Sequence, residues 1–133
     1  MGGEQRVWIG TDRDIVAARQ DGRARALEVG FSQGDATVIS AAISEIARNM
    51  LDYARGGEIC IAPVECGERR GIEVIGRDSG PGIPDISLAL LDGYSTSGNL
   101  GLGLPGSRRL MDDFEVKSEP GVGTTVTMRK WTR

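Results

Sequence analysis

Three polar side chains on one predicted helix supply the groups that magnesium and phosphate chemistry needs. Glu45, Asn49 and Asp52 are spaced by four and then three residues, so they share one face of a helix with 3.6 residues per turn. Magnesium prefers oxygen ligands, so the Asn49 carboxamide oxygen is a candidate ligand, and Glu45 is placed to accept or orient a proton. The alternative interpretation is that this polar row is only the solvent boundary of a buried helix.

A second group stands at the end of a predicted strand. Asp78 is followed by Gly80 and Gly82, and a carboxylate there can accept a hydrogen bond from an exocyclic amine such as that of adenine. Glycine has no Cβ, so it lets the backbone approach a flat ring closely. The alternative is an ordinary turn in which the Asp78 side chain bonds to nearby backbone.

The third group is the segment 101–104, which leads into a predicted helix. Backbone N–H groups at a helix N-terminus point toward negative charge, so this segment predicts a phosphate site, and a flexible glycine loop is the alternative. Gly101, Gly103 and Gly106 also match the G-x-G-x-x-G pattern of dinucleotide-binding folds. That pattern requires a preceding strand and a βαβ unit, and here a long polar loop precedes it. The Walker A lysine motif is absent from the sequence.

Composition limits the class of protein. The chain of 133 residues is 39% hydrophobic and 26% charged, which indicates a single soluble domain over residues 1–133. Its net charge of −3 argues against nucleic-acid binding, and the lack of histidine excludes Ser-His-Asp catalysis, histidine-ligated zinc and a phosphohistidine. No apolar run opens the chain or approaches the roughly 20 residues of a membrane span, so we expect a cytoplasmic protein without membrane contact.

The hydrophobic periodicity predicts the elements that must position the three groups. The first helix is expected to have Thr11 or Asp12 as its N-cap, to continue from residue 14 to 29 and to end at Gly30. Further helices are expected over 35–55, ended by the glycines at 56 and 57, and over 86–91 and 102–111, with a loop at 92–99. Strands are expected at 5–10, 58–62, 71–75, 115–118 and 124–128, the last four as two hairpins. This arrangement indicates an α+β fold: a two-layer sandwich with a mixed, mostly antiparallel sheet and helices on one face. Cys60 and Cys66 are expected to be reduced thiols that pack as small hydrophobes.

In this order and at these intervals, the three groups resemble the motifs of the GHKL superfamily. These are the Bergerat-fold ATPases and kinases that include gyrase, Hsp90-type chaperones, sensor histidine kinases and mismatch-repair ATPases. Residues 45–52 match the family's N box, 78–82 its first glycine box and 101–104 its second, and 123–125 resemble the Gly-Thr that closes the pocket. The likeness covers nearly the whole chain. Within the superfamily, the small size, the missing histidine and the stretches 14–19, 45–52 and 101–112 resemble the short anti-sigma-factor-type serine/threonine kinases, in particular the stressosome switch kinases.

The resemblance implies ATP and Mg²⁺ as cofactors and a role for each matching residue. Adenine would lie against Asp78, magnesium would bridge Asn49 and the phosphates, and Glu45 would be the catalytic base. The implied nucleotide-binding set is Asn49, Asp52, Asp78, Gly80, Gly82, Ile83, Gly101, Leu102, Gly103, Leu104 and Thr124. The loop 92–99 would act as a lid, and Arg19, Arg55 and Arg108 are candidates for additional stabilisation of the phosphate charge.

The resemblance also implies protein partners. The chain would phosphorylate serine or threonine on STAS-domain scaffold or antagonist proteins of the stressosome, and would then bind and activate a PP2C-type phosphatase. Three alternatives remain open: an anti-sigma factor that sequesters a sigma factor and phosphorylates its antagonist, a plain ATPase, and a non-catalytic binding module. Co-purification with a sigma factor would indicate the first and phosphate release without a protein acceptor the second, while the intact Glu45 and Asn49 argue against the third.

Overall fold

The computed structural model describes residues 4–54, 56–78, 110–119 and 122–132. In chain order the elements are β1 (Gln5–Ile9), α1 (Asp12–Val29), α2 (Gln33–Ala54), β2 (Gly57–Cys66), β3 (Arg69–Asp78), β4 (Asp113–Glu119) and β5 (Gly123–Trp131). The predicted helix at 86–91, the predicted loop at 92–99 and nearly all of the predicted helix at 102–111 lie outside the described residues. In the described part of the chain, neither helix is long and apolar enough to cross a membrane.

Helix α1 begins and ends at residues whose conformation specifies the boundary. Thr11 is the N-cap: its hydroxyl accepts from the Asp14 N–H, and the Asp14 carboxylate accepts from the Thr11 N–H at 2.9 Å. This capping box starts the helix at Asp12, and Thr11 is one of the two N-caps that the sequence predicted. Gly30 ends the helix as predicted, with a φ of 117° in the left-handed region.

Gly22 lies within α1 and does not interrupt it. Ile43 of α2 occupies the space where a Cβ at Gly22 would stand, so the glycine lets the two helices pack closely. Glycine in a helix costs roughly 0.5–1 kcal/mol relative to alanine, and this contact offsets that cost. The sequence shows the helix-weakening residue but not the partner side chain that makes it useful.

Helix α2 is bounded by a hydroxyl at one end and a glycine at the other. The Ser32 hydroxyl accepts from the Asp35 N–H at 3.1 Å, so the helix starts at Gln33, two residues before the predicted start. Gly56 has a φ of 128°, and its N–H donates to the Met50 carbonyl at 2.9 Å. This is the glycine-mediated stop that the sequence predicted.

The five strands form one sheet with the order β1-β2-β3-β5-β4, and each described pairing is antiparallel. The predicted α+β class, with its two-layer arrangement, is therefore confirmed. Strands β2 and β3 are ten residues each, and two residues, Gly67 and Glu68, join them. The sequence interpretation made these strands half as long, because it read their charged ends as part of the turn. Strand β5, rather than β4, pairs with β3.

Alternate residues of each strand face the helix layer and form the core. In β5, positions 124, 126, 128 and 130 are buried, and the positions between them are half-buried. The core is mostly aliphatic, as the scarcity of aromatic residues required, and its largest fully buried side chains are Ile9, Ile39, Ile43, Ile59, Ile61, Ile72, Val74 and Met128.

The two cysteines have different environments. Cys60 is buried, with 2% of its surface exposed, and Cys66 is exposed at the β2 end of the β2–β3 turn. Both are free thiols. The prediction that both pack as small hydrophobes is correct for Cys60, which lies between β1 and β3, and wrong for Cys66, which lies beyond the end of the β1 pairing.

We expect the stability of this domain to depend on the ionisation of Asp14. The Gly10 N–H, at 2.8 Å from its carboxylate, and the Thr11 bonds lower the pKa of Asp14. A lowered folded-state pKa stabilises the fold above the unfolded-state value of about 3.9, and that contribution disappears as the pH falls through the folded-state pKa. Asp14→Ala should therefore unfold more easily than the wild type at pH 7, and the difference should shrink progressively below about pH 4.

Urea unfolding from pH 7 to pH 2.5 measures this effect. Asp21→Ala, in the same helix but away from its N-terminus, is the control and should lack the acid-dependent convergence. A constant difference between Asp14→Ala and wild type across this range would contradict the capping role.

Candidate functional site

Helix α2 packs unusually close to the sheet at the end of β3. A Cβ added at Gly76 would lie 2.7 Å from the Met50 Cε and 2.9 Å from the Ile46 Cγ2. A Cβ at Gly57 would lie 2.4 Å from the Arg77 carbonyl oxygen and 3.0 Å from the Met50 Sδ. Glycine at 76 therefore allows α2 to approach the sheet, and glycine at 57 mainly allows β2 to lie close to the β3 backbone. The contact was not predicted from the sequence, because Gly57 and Gly76 stand just outside the predicted strands at 58–62 and 71–75.

The close packing brings Met50, the residue after Asn49, to the same glycine as Asp78. Asn49 directly precedes Met50, and a Cβ at Gly57 would lie 3.2 Å from the Asp78 Cβ as well as in contact with the Met50 sulfur. Asp78 is the last residue of β3 and is half-buried on the helix side of the sheet. Met50 of α2 and the strand-end aspartate therefore both lie beside Gly57.

Asp78 also bonds to the neighbouring strand. Its Oδ1 accepts from the backbone N–H of Thr124 at 3.2 Å, and the two residues are Cα partners in the β3–β5 pairing. Thr124 is 8% exposed, and its hydroxyl shares a hydrogen bond of 3.0 Å with the Ser118 hydroxyl. Thr124 was part of the predicted set; Ser118 was not, because only the β4–β5 register brings it into contact.

The three polar residues of α2 differ in exposure. Glu45 and Asn49 are half-buried, whereas Asp52 is exposed. Solvent exposure therefore increases toward Asp52, so Glu45 and Asn49 are better placed than Asp52 to contact a ligand held against the sheet.

Several predicted site residues fall outside the described part of the chain. These are Gly80, Gly82, Ile83, Gly101, Leu102, Gly103 and Leu104, together with Arg55, Arg108 and the loop 92–99. Arg19 is described and is exposed on α1. The roles of all of these residues stay predictions.

An open cleft of about 450 Å³ lies at the sheet end that holds Asp78 and Thr124. Arg77, Lys117 and Thr125 also line it. Thr125 belongs to the predicted Gly-Thr match at 123–125, whereas Arg77 and Lys117 were not predicted, since nothing in their local sequence indicates that three different strands bring these residues to one place.

The donor chemistry of this region suits magnesium better than a metal with a full protein shell. Within the described ranges, no group of three or more Cys, Asp or Glu residues could hold a metal ion. A magnesium ion takes most of its oxygen ligands from water and phosphate, so one carboxamide oxygen such as that of Asn49 fits this requirement.

Comparison with known sequences identifies relatives over most of the chain. Residues 34–132 match the family model described as histidine kinase-, DNA gyrase B- and HSP90-like ATPase. The chain is 50% identical over 133 residues to the serine/threonine-protein kinase RsbT of Bacillus subtilis strain 168, with both chains covered completely. It is 32% identical over 129 residues to an anti-sigma F factor of Thermoanaerobacter sp. strain X514, which covers 88% of this chain and 89% of the relative.

Solved structures share the fold. The crystal structure of the RsbU and RsbW domains of a Mycobacterium tuberculosis protein matches with a TM-score of 0.63 and 20% identity, over 98% of this chain and 33% of that one. A mycobacterial sensor histidine kinase, MprB, matches with a TM-score of 0.59 and 17% identity, over 98% of each chain.

We expect Gly76→Ala to disturb the approach of α2 to the sheet. The added methyl group would overlap Met50 and Ile46, so the free energy of unfolding should fall by about 1–3 kcal/mol. Urea unfolding at pH 7 measures the change. Gly34→Ala is the matched control: it lies in the first turn of α2, where a Cβ would meet only the Ser32 hydroxyl at 3.9 Å. This control should be neutral or slightly stabilising, and an equally small effect at Gly76 would contradict the packing argument.

Proposed function

We propose a protein kinase function for this chain, which belongs to the histidine kinase-, DNA gyrase B- and HSP90-like ATPase family. It is a serine/threonine protein kinase that transfers the γ-phosphate of ATP to STAS-domain proteins and acts as a switch in stress signalling. The observation that supports this most directly is the 50% identity to a serine/threonine kinase along the entire chain. Residues 1–133 would form one catalytic domain, and the protein would act in the cytoplasm.

The nucleotide would bind where α2 lies against the ends of β3 and β5. Asp78 would accept a hydrogen bond from the adenine amine, while its bond to the Thr124 N–H holds the carboxylate in position. Gly80, Gly82 and Ile83 would border the ring, and the backbone of Gly101, Leu102, Gly103 and Leu104 would surround the phosphates. Asp52, exposed at the outer end of the polar row, would contact the nucleotide from the solvent side.

The chemistry would depend mainly on Glu45 and Asn49. Bound Mg²⁺ would neutralise phosphate charge during transfer, and the Asn49 carboxamide would be its protein ligand. Glu45, one turn earlier on the same face of α2, would accept the proton of the serine or threonine hydroxyl or hold that hydroxyl in line. Phosphoryl transfer needs mostly positioning and charge stabilisation, so one carboxylate and one metal ligand are sufficient.

The protein partners follow from the same proposal. The phosphoacceptors would be STAS-domain scaffold or antagonist proteins of the stressosome, and a PP2C-type phosphatase would bind the kinase after release. Incubation of the purified chain with ATP, magnesium and individual STAS-domain proteins of the source organism, followed by phosphosite mapping, tests this assignment.

A second candidate function is supported by the 32% identity to an anti-sigma F factor. In that case the chain would bind a sigma factor and phosphorylate its antagonist. Co-purification distinguishes the two: a sigma factor recovered with the chain in stoichiometric amount favours the second candidate, and a STAS-domain assembly favours the first.

We expect Glu45→Gln to separate nucleotide binding from phosphoryl transfer. Loss of a general base should lower the transfer rate by roughly 10²–10⁴-fold. The dissociation constant for ATP should change little. Radiolabelled transfer assays and calorimetry provide the two measurements, with Glu28→Gln on the exposed side of α1 as the control. Full transfer activity in Glu45→Gln would remove this residue from the mechanism.

We expect Asp78→Asn to weaken ATP binding specifically. The asparagine can still accept from the Thr124 N–H, so the fold should survive, but its amide cannot replace the charged acceptor. A lost hydrogen bond to a charged group costs about 1.5–3 kcal/mol, or roughly a 10- to 150-fold rise in the dissociation constant. Asp113→Asn is the control, since Asp113 instead bonds to the Trp131 indole at 3.0 Å. Calorimetry that finds equal affinities for wild type and Asp78→Asn would exclude the adenine contact.

A further inference from the structure

The sheet face opposite to the helices, called here the open face, has cations of two kinds. Three of them have a described partner. Arg6 pairs with Glu4 at 3.1 Å and lies 3.9 Å from Glu58. Arg129 pairs with Glu73 at 2.7 Å, and the Arg69 guanidinium lies 4.8 Å from the centre of the Trp131 ring.

The other two, Arg77 and Lys117, have no such partner. Among the residues that the structure describes, neither lies within ion-pair distance of a carboxylate. The described contact of the Arg77 guanidinium is the Cys60 thiol at 4.0 Å. Glu58 is the Cα partner of Arg77 in the β2–β3 pairing, but its carboxylate lies within 3.9 Å of Arg6 instead. Burial raises the pKa of Cys60, so the thiol stays neutral at pH 7 and does not balance the arginine charge.

Arg77 and Lys117 flank a hydroxyl side chain. Thr125 of β5 is the Cα partner of Arg77 on one side and of Lys117 on the other. Cross-strand partners point to the same face, so the three side chains form a row about 10 Å long, from two strand spacings. We call it the anion row: Arg77, Thr125 and Lys117. An anionic group above Thr125 could contact both cations and the hydroxyl.

The surroundings of the anion row favour a protein ligand. The row borders the cleft of about 450 Å³, whose edge includes Val122 with 61% of its surface exposed. Cations beside an exposed apolar side chain are typical of protein interfaces, where arginine is enriched. The row lies across the sheet from Asn49, where the proposed phosphates would lie, and so it is not needed for the nucleotide.

We propose that the anion row docks an acidic segment of the phosphoacceptor protein and so contributes to substrate choice. This inference rests on the proposed kinase function. Docking at the sheet end would hold the acceptor beside the cleft, while its hydroxyl reaches the nucleotide around the ends of β3 and β5. The contact would speed encounter and lower the KM for the acceptor without altering the chemical step.

The test is phosphotransfer by the double charge reversal Arg77→Glu with Lys117→Glu. The acceptor is each STAS-domain protein of the source organism, and the matched control reverses two exposed arginines elsewhere, Arg23→Glu with Arg70→Glu. The KM for the acceptor should rise at least about tenfold in the anion-row variant, with kcat and the ATP dissociation constant within about twofold of wild type. A hexa-aspartate peptide should inhibit transfer by wild type and control, but not by the anion-row variant.

The outcomes separate the two hypotheses. If wild type phosphorylates a STAS-domain protein and the variant has an unchanged KM, the docking proposal is wrong and the kinase function stands. If the variant instead loses ATP affinity, the row serves the nucleotide and the docking proposal is also overturned. If wild type phosphorylates none of these proteins, the proposed function fails first, and the docking proposal fails with it.

Discussion

The close packing of α2 on β2 and β3 is the constraint on which the candidate site depends. Met50 can reach the sheet only because positions 57 and 76 lack side chains. A side chain at position 76 would overlap Met50 and Ile46, and one at position 57 would overlap the Arg77 carbonyl, so this packing could not stay unchanged. The two glycines therefore help to determine how α2 lies against the strand end that holds Asp78. Packing and chemistry depend on the same contacts.

The hydrogen bond between Asp78 and the Thr124 N–H contributes a second constraint. It joins the end of β3 to the start of β5, and the Ser118–Thr124 hydroxyl pair extends the connection to β4. The polar end of the sheet is thus cross-linked by side chains, which suits a site that must hold a ligand in one orientation. The opposite face of the same strand ends presents Arg77 and Lys117, because successive residues of a strand alternate between faces. One end of the sheet therefore offers an acid toward the helices and cations away from them.

Much of the fold could be predicted from local sequence. The apolar spacing of Ile39, Ile43 and Ile46 and the glycine stops at 30 and 56 gave both long helices to within two residues. Strand lengths were underestimated, because pairing between β2 and β3 extends both strands through the charged residues near Gly67. Local β-propensity does not reflect such pairing. The exposure of Cys66 was also missed, because burial depends on which elements cover a strand end. The place of β5 between β3 and β4 required the tertiary structure.

The sequence by itself determined the residue types and the order of the motifs, and these were enough to indicate the family, the α+β class and ATP-dependent chemistry. Those properties depend on side-chain chemistry and on periodicity over short distances, both of which a single chain displays directly. The tertiary structure alone decided that Gly57 and Gly76 admit Met50, that Ser118 joins Thr124, and that Arg77, Thr125 and Lys117 form one row. Each of these contacts joins residues from different elements, and their proximity follows from sheet register and layer packing, which no local pattern specifies.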